Sequence, residues 1–148
     1  MDFPYPTVAL ITGHTFGGGC PFALAHDYRV MNSKRGFFCM PPVDLGLSFP
    51  GIGALPGLKL APQIARKMLL EAHRWTGEEA FKDGIVDVFA PPEVMFVKAL
   101  ELAERWRGKG KAGVYGVIRN ELWGEAGKKF RDLAWVHNRA TNVAKARL

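Results

Sequence analysis

Pro6-Thr7-Val8-Ala9-Leu10-Ile11-Thr12-Gly13-His14-Thr15-Phe16-Gly17-Gly18-Gly19-Cys20 is the stretch that decides the fold class. Its first half is an unbroken apolar, β-branched run without polar alternation, the pattern of a strand covered on both faces. Such a strand is expected to be central, with a neighbour on each edge. Gly13–Gly19 then reads as a tight loop, because so many glycines in so few positions hold no regular element. A short helix is expected over Phe22–Ala25, with Pro21 in its first turn. The order strand, glycine loop, helix turns backbone N–H groups outward with the positive end of the helix behind them, a cradle for an anion or oxyanion. Neither the P-loop spacing Gly-x-x-x-x-Gly-Lys-Ser/Thr nor the dinucleotide fingerprint Gly-x-Gly-x-x-Gly is present. Close packing of a helix on a strand accounts for the three glycines equally well on pattern alone.

Further along, Tyr28–Met31 and Gly36–Met40 read as short strands separated by the turn Asn32–Arg35. Pro41–Gly57 is so rich in Pro and Gly that an irregular loop is expected, able to wall a cleft. Ile64, Met68 and Leu69 share one face of a helix of about three turns. Thr76-Gly77-Glu78-Glu79 spells a capping box for a short helix stopped by Gly84. A strand over Ile85–Phe89 and a helix over Pro92–Arg107 follow, then the break Gly108–Gly113. Residues 114–148 are helical again, with Phe130, Leu133, Ala134, His137, Ala140, Thr141 and Ala144 on one stripe. The organisation is an α/β body over residues 1–107 and a helical tail over 108–148, suited to oligomerisation or to covering substrate.

With 148 residues, 48% of them apolar, the chain builds one globular domain rather than two. No apolar run approaches the roughly 18 residues of a membrane span, and the start lacks a secretory leader pattern. Cys20 and Cys39 stand outside any Cys/His cluster, so neither a disulfide framework nor a structural zinc site is expected. The net charge of +6 is concentrated late: residues 105–148 hold 11 Lys/Arg against 3 Asp/Glu. Those cations are interleaved with Trp and Leu, which reads as a solvated helical face and not as a nucleic-acid surface.

The opening stretch, followed by Leu24-Ala25-His26-Asp27-Tyr28-Arg29-Val30, resembles the core of the enoyl-CoA hydratase/isomerase (crotonase) superfamily. Asp44-Leu45-Gly46-Leu47, Arg74-Trp75-Thr76-Gly77-Glu78-Glu79-Ala80 and Asp83-Gly84-Ile85-Val86-Asp87 follow in the family's order, so the likeness covers about residues 4–107. The His26–Met31 and Arg35–Cys39 segments are most similar to the Δ3,Δ2-enoyl-CoA isomerase branch of fungi and plants. The resemblance implies an α/β fold of the ClpP/crotonase type, a spiral of β-β-α units, with a C-terminal helical tail and assembly as a homo-oligomer (trimer or hexamer). It also implies two backbone N–H groups that hold the thioester oxygen of an acyl-CoA. Gly18 matches one of them. The other belongs to an earlier strand, so the core is expected to be truncated at the N-terminus; loss of one such donor costs roughly 10²–10³ in rate.

The two glutamates used by the family's hydratases fall at Pro21 and at Pro42 (or Pro41). Without that carboxylate pair water addition is disfavoured, whereas double-bond migration needs one group to carry a proton from C2 to C4. Asp44 is the nearest carboxylate, and it shares Pro42's direction if the backbone between them is extended. His14, Phe16, Gly17, Gly19 and Phe49 are candidate substrate contacts; Phe16, Phe49 and Trp75 suit either an acyl tunnel or core packing. Lys59, Arg66 and Lys67 are candidate partners for CoA phosphates or plain surface cations. Asp27 and Arg29 are expected to form a structural ion pair or turn bond. The resemblance implies no metal or redox cofactor, because the CoA thioester is part of the substrate. Ala146-Arg147-Leu148 fits the small-basic-leucine form of the peroxisomal address, which makes an import receptor a partner and the peroxisome the location. The activity implied is Δ3,Δ2-enoyl-CoA isomerisation in fatty acid β-oxidation. The alternatives are an enoyl-CoA hydratase and a catalytically impaired acyl-CoA-binding or assembly subunit.

Overall fold

Parallel pairing between segments twenty residues apart organises the chain. A computed structural model describes residues 3–48 and 50–145, with side chains to residue 130. The elements are β1 (Val8–Ile11), β2 (Thr15–Phe16), α1 (Gly19–Leu24), β3 (Tyr28–Asn32), β4 (Phe38–Cys39), α2 (Ala54–Lys59), α3 (Pro62–Leu70), α4 (Gly77–Lys82), β5 (Val88–Ala90), α5 (Pro92–Arg107), a 3₁₀ turn (Gly108–Gly110) and α6 (Val114–Lys145). β1 pairs with β3 and β3 with β5, all parallel, while β2 pairs with β4 in a second parallel sheet. Each β-β unit therefore adds one strand to each sheet, which is the expected spiral.

The continuous apolar run in β1 is explained by burial on both faces. Ala9 and Ile11 join Met31, Phe38, Met68, Trp75 and Ile85 in the main core between the sheets and the short helices. Val8, with Val30 and Val88, faces α5, where Met95 and Leu102 complete a smaller cluster. Among the described residues β3 occupies the middle of the sheet and β1 lies at its edge, so of the two neighbours expected for β1 one, β3, is among the described strands. Leu10, on the same face as Val8, is 39% exposed.

Two expectations are corrected. Pro41–Gly57 is irregular only to Gly53, because α2 begins at Ala54 and tolerates Pro56 in its first turn, where a missing N–H breaks no helical bond. The last strand starts at Val88 rather than Ile85. The Ile85 and Val86 N–H groups turn back to the Ala80 carbonyl, so these buried residues end the α4 turn instead. The capping box forms as read: Thr76 Oγ1 accepts from Glu79 N–H, and Thr76 N–H donates to Glu79 Oε2.

α6 runs over 32 residues, about 48 Å at helical rise. Its stripe Tyr115, Arg119, Trp123, Ala126 and Phe130 recurs at helical spacing; Ala126 is in the main core, and Phe130 packs against it. The predicted stripe from Leu133 onward lies outside the described side chains. No helix among the described residues is long and apolar enough to cross a membrane.

Candidate functional site

The glycine loop is anchored at one end to the second sheet and open at the other. Thr15 N–H donates to Phe37 O at 2.8 Å, and Gly17 N–H to Cys39 O at 3.1 Å. Gly17 then turns through φ +53°, a conformation that only a residue without Cβ adopts at no cost, and Cys20 N–H closes on Gly17 O at 3.0 Å. The Cys20 thiol is buried beneath, donating toward Thr15 O and Cys39 O, and burial pushes its pKa up to about 12. It is a structural thiol and not a nucleophile.

This anchoring leaves the middle of the loop unspent. Gly18 is exposed, and a Cβ built on it meets nothing within 4 Å. Its N–H and that of Gly19 have no acceptor among the described residues, whereas Gly17 and Cys20 N–H are engaged on either side. The tightest contact in the neighbourhood belongs to Gly36, at φ +97°, where any Cβ would collide with the Gly13 carbonyl. That contact seats the β3–β4 turn against the start of the loop.

His14 lies beside it. Its Nδ1 accepts Phe37 N–H at 3.3 Å, which puts the ring proton on Nε2, and the ring stacks on Phe16 at 5.3 Å. A cleft of about 300 Å³ runs along the free edge of β1, lined by Val8–Thr15 together with Gly19, Phe22, Ala23 and His26. His14 and Gly19 thus share one cleft, which Gly18 and Phe16 border without lining. Phe16 is 42% and Phe22 73% exposed, so the rim is aromatic.

The other sequence candidates scatter. Asp44 sits in a turn in which its N–H meets Pro41 O at 3.0 Å and Leu47 N–H meets Pro42 O at 2.9 Å, so the backbone from Pro42 is coiled and not extended. Pro42 is buried and Asp44 exposed, its carboxylate with no hydrogen-bond or ion-pair partner among the described residues. Phe49 lies outside the described residues. Trp75 is fully buried core, its Nε1 donating to Asp83 Oδ2 at 2.7 Å. Arg66 pairs with Glu71 and Lys67 with Asp83. Lys59 is not a free surface cation: it donates to His26 O at 2.7 Å and lies 3.6 Å from the Trp123 ring centre. Burial, with Arg29 and Arg119 close by, pulls its pKa down to about 7.

Of the two forms expected for Asp27 and Arg29, the turn bond is present, Arg29 Nη1 donating to Asp27 O at 3.4 Å, and the ion pair is not. Arg29 pairs with Asp87 at 3.2 Å, and Asp27 pairs with Arg119 at 2.8 Å. Sequence reasoning missed Arg119, although a signal existed: it is the single cation on the apolar α6 stripe. Among the described residues no group of three or more His, Cys, Asp or Glu side chains gathers in one place.

Comparison with known proteins places this geometry. The family model described as Enoyl-CoA hydratase/isomerase matches residues 1–120. The chain is 38% identical over 130 residues to "Enoyl-CoA delta isomerase 2, peroxisomal" of Arabidopsis thaliana, covering 84% of this chain and 54% of that protein. It is 34% identical over 112 residues to a crotonyl-CoA hydratase of Syntrophomonas wolfei, covering 74% and 42%. The crystal structure of an enoyl-CoA hydratase from Mycobacterium marinum superposes with a TM-score of 0.77 at 25% identity, over 89% of this chain and 58% of that one. The chain spans about half the length of the curated relatives it matches.

Proposed function

The chain belongs to the enoyl-CoA hydratase/isomerase family, and from that membership we propose that it moves the double bond of a 3-enoyl-CoA to the 2-position in fatty acid β-oxidation. Removing a proton from C2 of the thioester makes a dienolate whose charge collects on the carbonyl oxygen. The Gly18 N–H donates to that oxygen, and returning the proton at C4 completes the 1,3-shift. Asp44, the exposed carboxylate of the Pro41–Leu47 turn, is the proposed proton carrier. His14, Phe16, Gly17 and Gly19 border the acyl-CoA; Phe49, outside the described residues, remains a proposed contact on its sequence position alone. One observation carries the reading: between the engaged Gly17 and Cys20 amides, those of Gly18 and Gly19 are left without an acceptor among the described residues, and Gly18 is the exposed one.

The isomerase reading is favoured over hydration because prolines stand at both positions that resemble the hydratase glutamates, and the delta isomerases of Arabidopsis are among the most similar relatives. The test adds a 3-enoyl-CoA and, separately, crotonyl-CoA to one preparation of the chain. Conjugated 2-enoyl thioester should appear from the first, and no hydroxyacyl product from the second; Asp44→Asn should abolish most of the turnover. Binding of CoA esters without turnover identifies an assembly or binding subunit instead and sinks the enzyme.

Two finer points belong to the same reading. Exposed Phe96, Val97 and Leu100 on α5 support assembly as a homo-oligomer, trimer or hexamer, which sedimentation of the purified chain measures. Relatives named peroxisomal, together with Ala146-Arg147-Leu148, support delivery to the peroxisome through its import receptor. That tripeptide lies outside the described residues.

A further inference from the structure

The segment that carries Gly18 begins at Thr7 and ends at Asp27, and these two residues are tied to each other. Thr7 N–H and Oγ1–H both donate to Asp27 Oδ2, at 2.7 and 2.9 Å, and Asp27 N–H donates to Thr7 Oγ1 at 3.2 Å. The same Oδ2 receives Arg119 Nη1 at 2.8 Å from α6, and both side chains are 3% exposed. Arg119 Nη1 also reaches Tyr5 O at 3.3 Å, just ahead of Thr7. On the other side of the corner, Lys59 Nζ and Arg29 Nη1 both donate to His26 O, at 2.7 and 3.0 Å.

Packing alone would be a cheaper way to hold α6 in place. Asp27 Oδ1, Arg119 Nε and Arg119 Nη2 are buried without partners among the described residues, and a buried ion pair with orphan atoms adds little stability over an apolar contact of equal volume. An ion pair does fix distance and angle where an apolar contact slides. The contact falls where both ends of the Gly18 segment meet.

From this geometry we propose that Arg119 and Asp27 are positioning residues for the oxyanion donor: they close the Thr7–Asp27 segment from α6 and so set where the Gly18 N–H points. The inference rests on the reading of Gly18 as the thioester donor. A small displacement of such a donor is expensive, because a shift of about 1 Å in a catalytic group costs up to 10²-fold in rate.

Arg119→Met, Arg119→Lys and Thr7→Val test it. Turnover of a 3-enoyl-CoA is measured well below each variant's unfolding midpoint, and the Gly18 amide is followed by nuclear magnetic resonance in the same preparations. Arg119→Met should lower kcat by about 10- to 100-fold with KM changed less than about threefold, the split expected when only transition-state contact is lost. Thr7→Val should give a smaller loss in the same direction, Arg119→Lys should recover part of the Arg119→Met loss, and the Gly18 amide resonance should move in each. A merely structural pair would lower the unfolding midpoint and leave kcat per folded molecule and the Gly18 resonance unchanged, which overturns the proposal. Should Arg119→Met fail to fold, Thr7→Val decides by the same readouts, because it leaves no buried charge unpaired. Should the unmodified chain fail to isomerise, the isomerase reading falls, and the positioning claim is then decided by the amide alone: an unmoved Gly18 signal overturns it.

Discussion

Gly18 adopts φ −58° and ψ −21°, so its value to the fold is not torsional freedom. A proline, fixed near φ −65°, fits that backbone but has no N–H. Gly18→Pro is therefore expected to keep the fold and lose about 10²–10³ in kcat, the usual cost of one oxyanion donor. Gly18→Ala, with open space for its methyl group, should stay near the unmodified rate. Steady-state kinetics on the pair separates donor from spacer: equal losses in both would show that crowding, not the amide, matters. The neighbour Gly17, at φ +53°, has the opposite character and depends on the missing Cβ. The glycine run was legible as a tight strand-to-helix loop, and the motifs around it, not the three glycines alone, told an oxyanion cradle from close packing. Asp44 was legible as a loop carboxylate only, since nothing local told a coiled turn from an extended one.

Among the elements, α5 and the capping box of α4 were legible to the residue, because their stop and start signals are local. α2 was not, since Pro and Gly density reads as loop while a first-turn proline is compatible with helix. The tie between α1, α2 and α6 was hidden for another reason: Arg119 and Asp27 are 92 residues apart, and charge patterns along a chain do not report such distant pairs. α2's last residue carries a testable consequence. Folding lowers the Lys59 pKa from 10.5 to about 7, chiefly by burial. Between those values the unfolded chain binds more protons than the folded one, so stability rises with pH across that window, and the full penalty persists below it. Denaturant midpoints taken between pH 7 and about 10 should climb for the unmodified chain, and Lys59→Met, which keeps an apolar stem over Trp123, should flatten the climb. A flat profile in the unmodified chain would show that the ammonium is better solvated than its contacts indicate.

At the scale of the molecule, the two-sheet spiral was legible because several linked motifs recur in the family's order, and β1 was legible as a strand covered on both faces, whereas side-chain pattern does not say which strand lies beside it. The proposed peroxisomal address is tested at this scale. A fluorescent protein fused ahead of Met1, leaving Leu148 free, should collect in peroxisomes and disperse when Ala146–Leu148 are removed; an unchanged distribution would dismiss the address. The charges that join α6 to the body lie out of water, while pairs such as Lys34–Glu93 and Lys82–Glu78 are more than half exposed. Dissolved ions screen the second kind over about 10 Å at moderate ionic strength and hardly reach the first. Added electrolyte should therefore weaken those surface pairs while leaving the long helix fastened to the body that it orders.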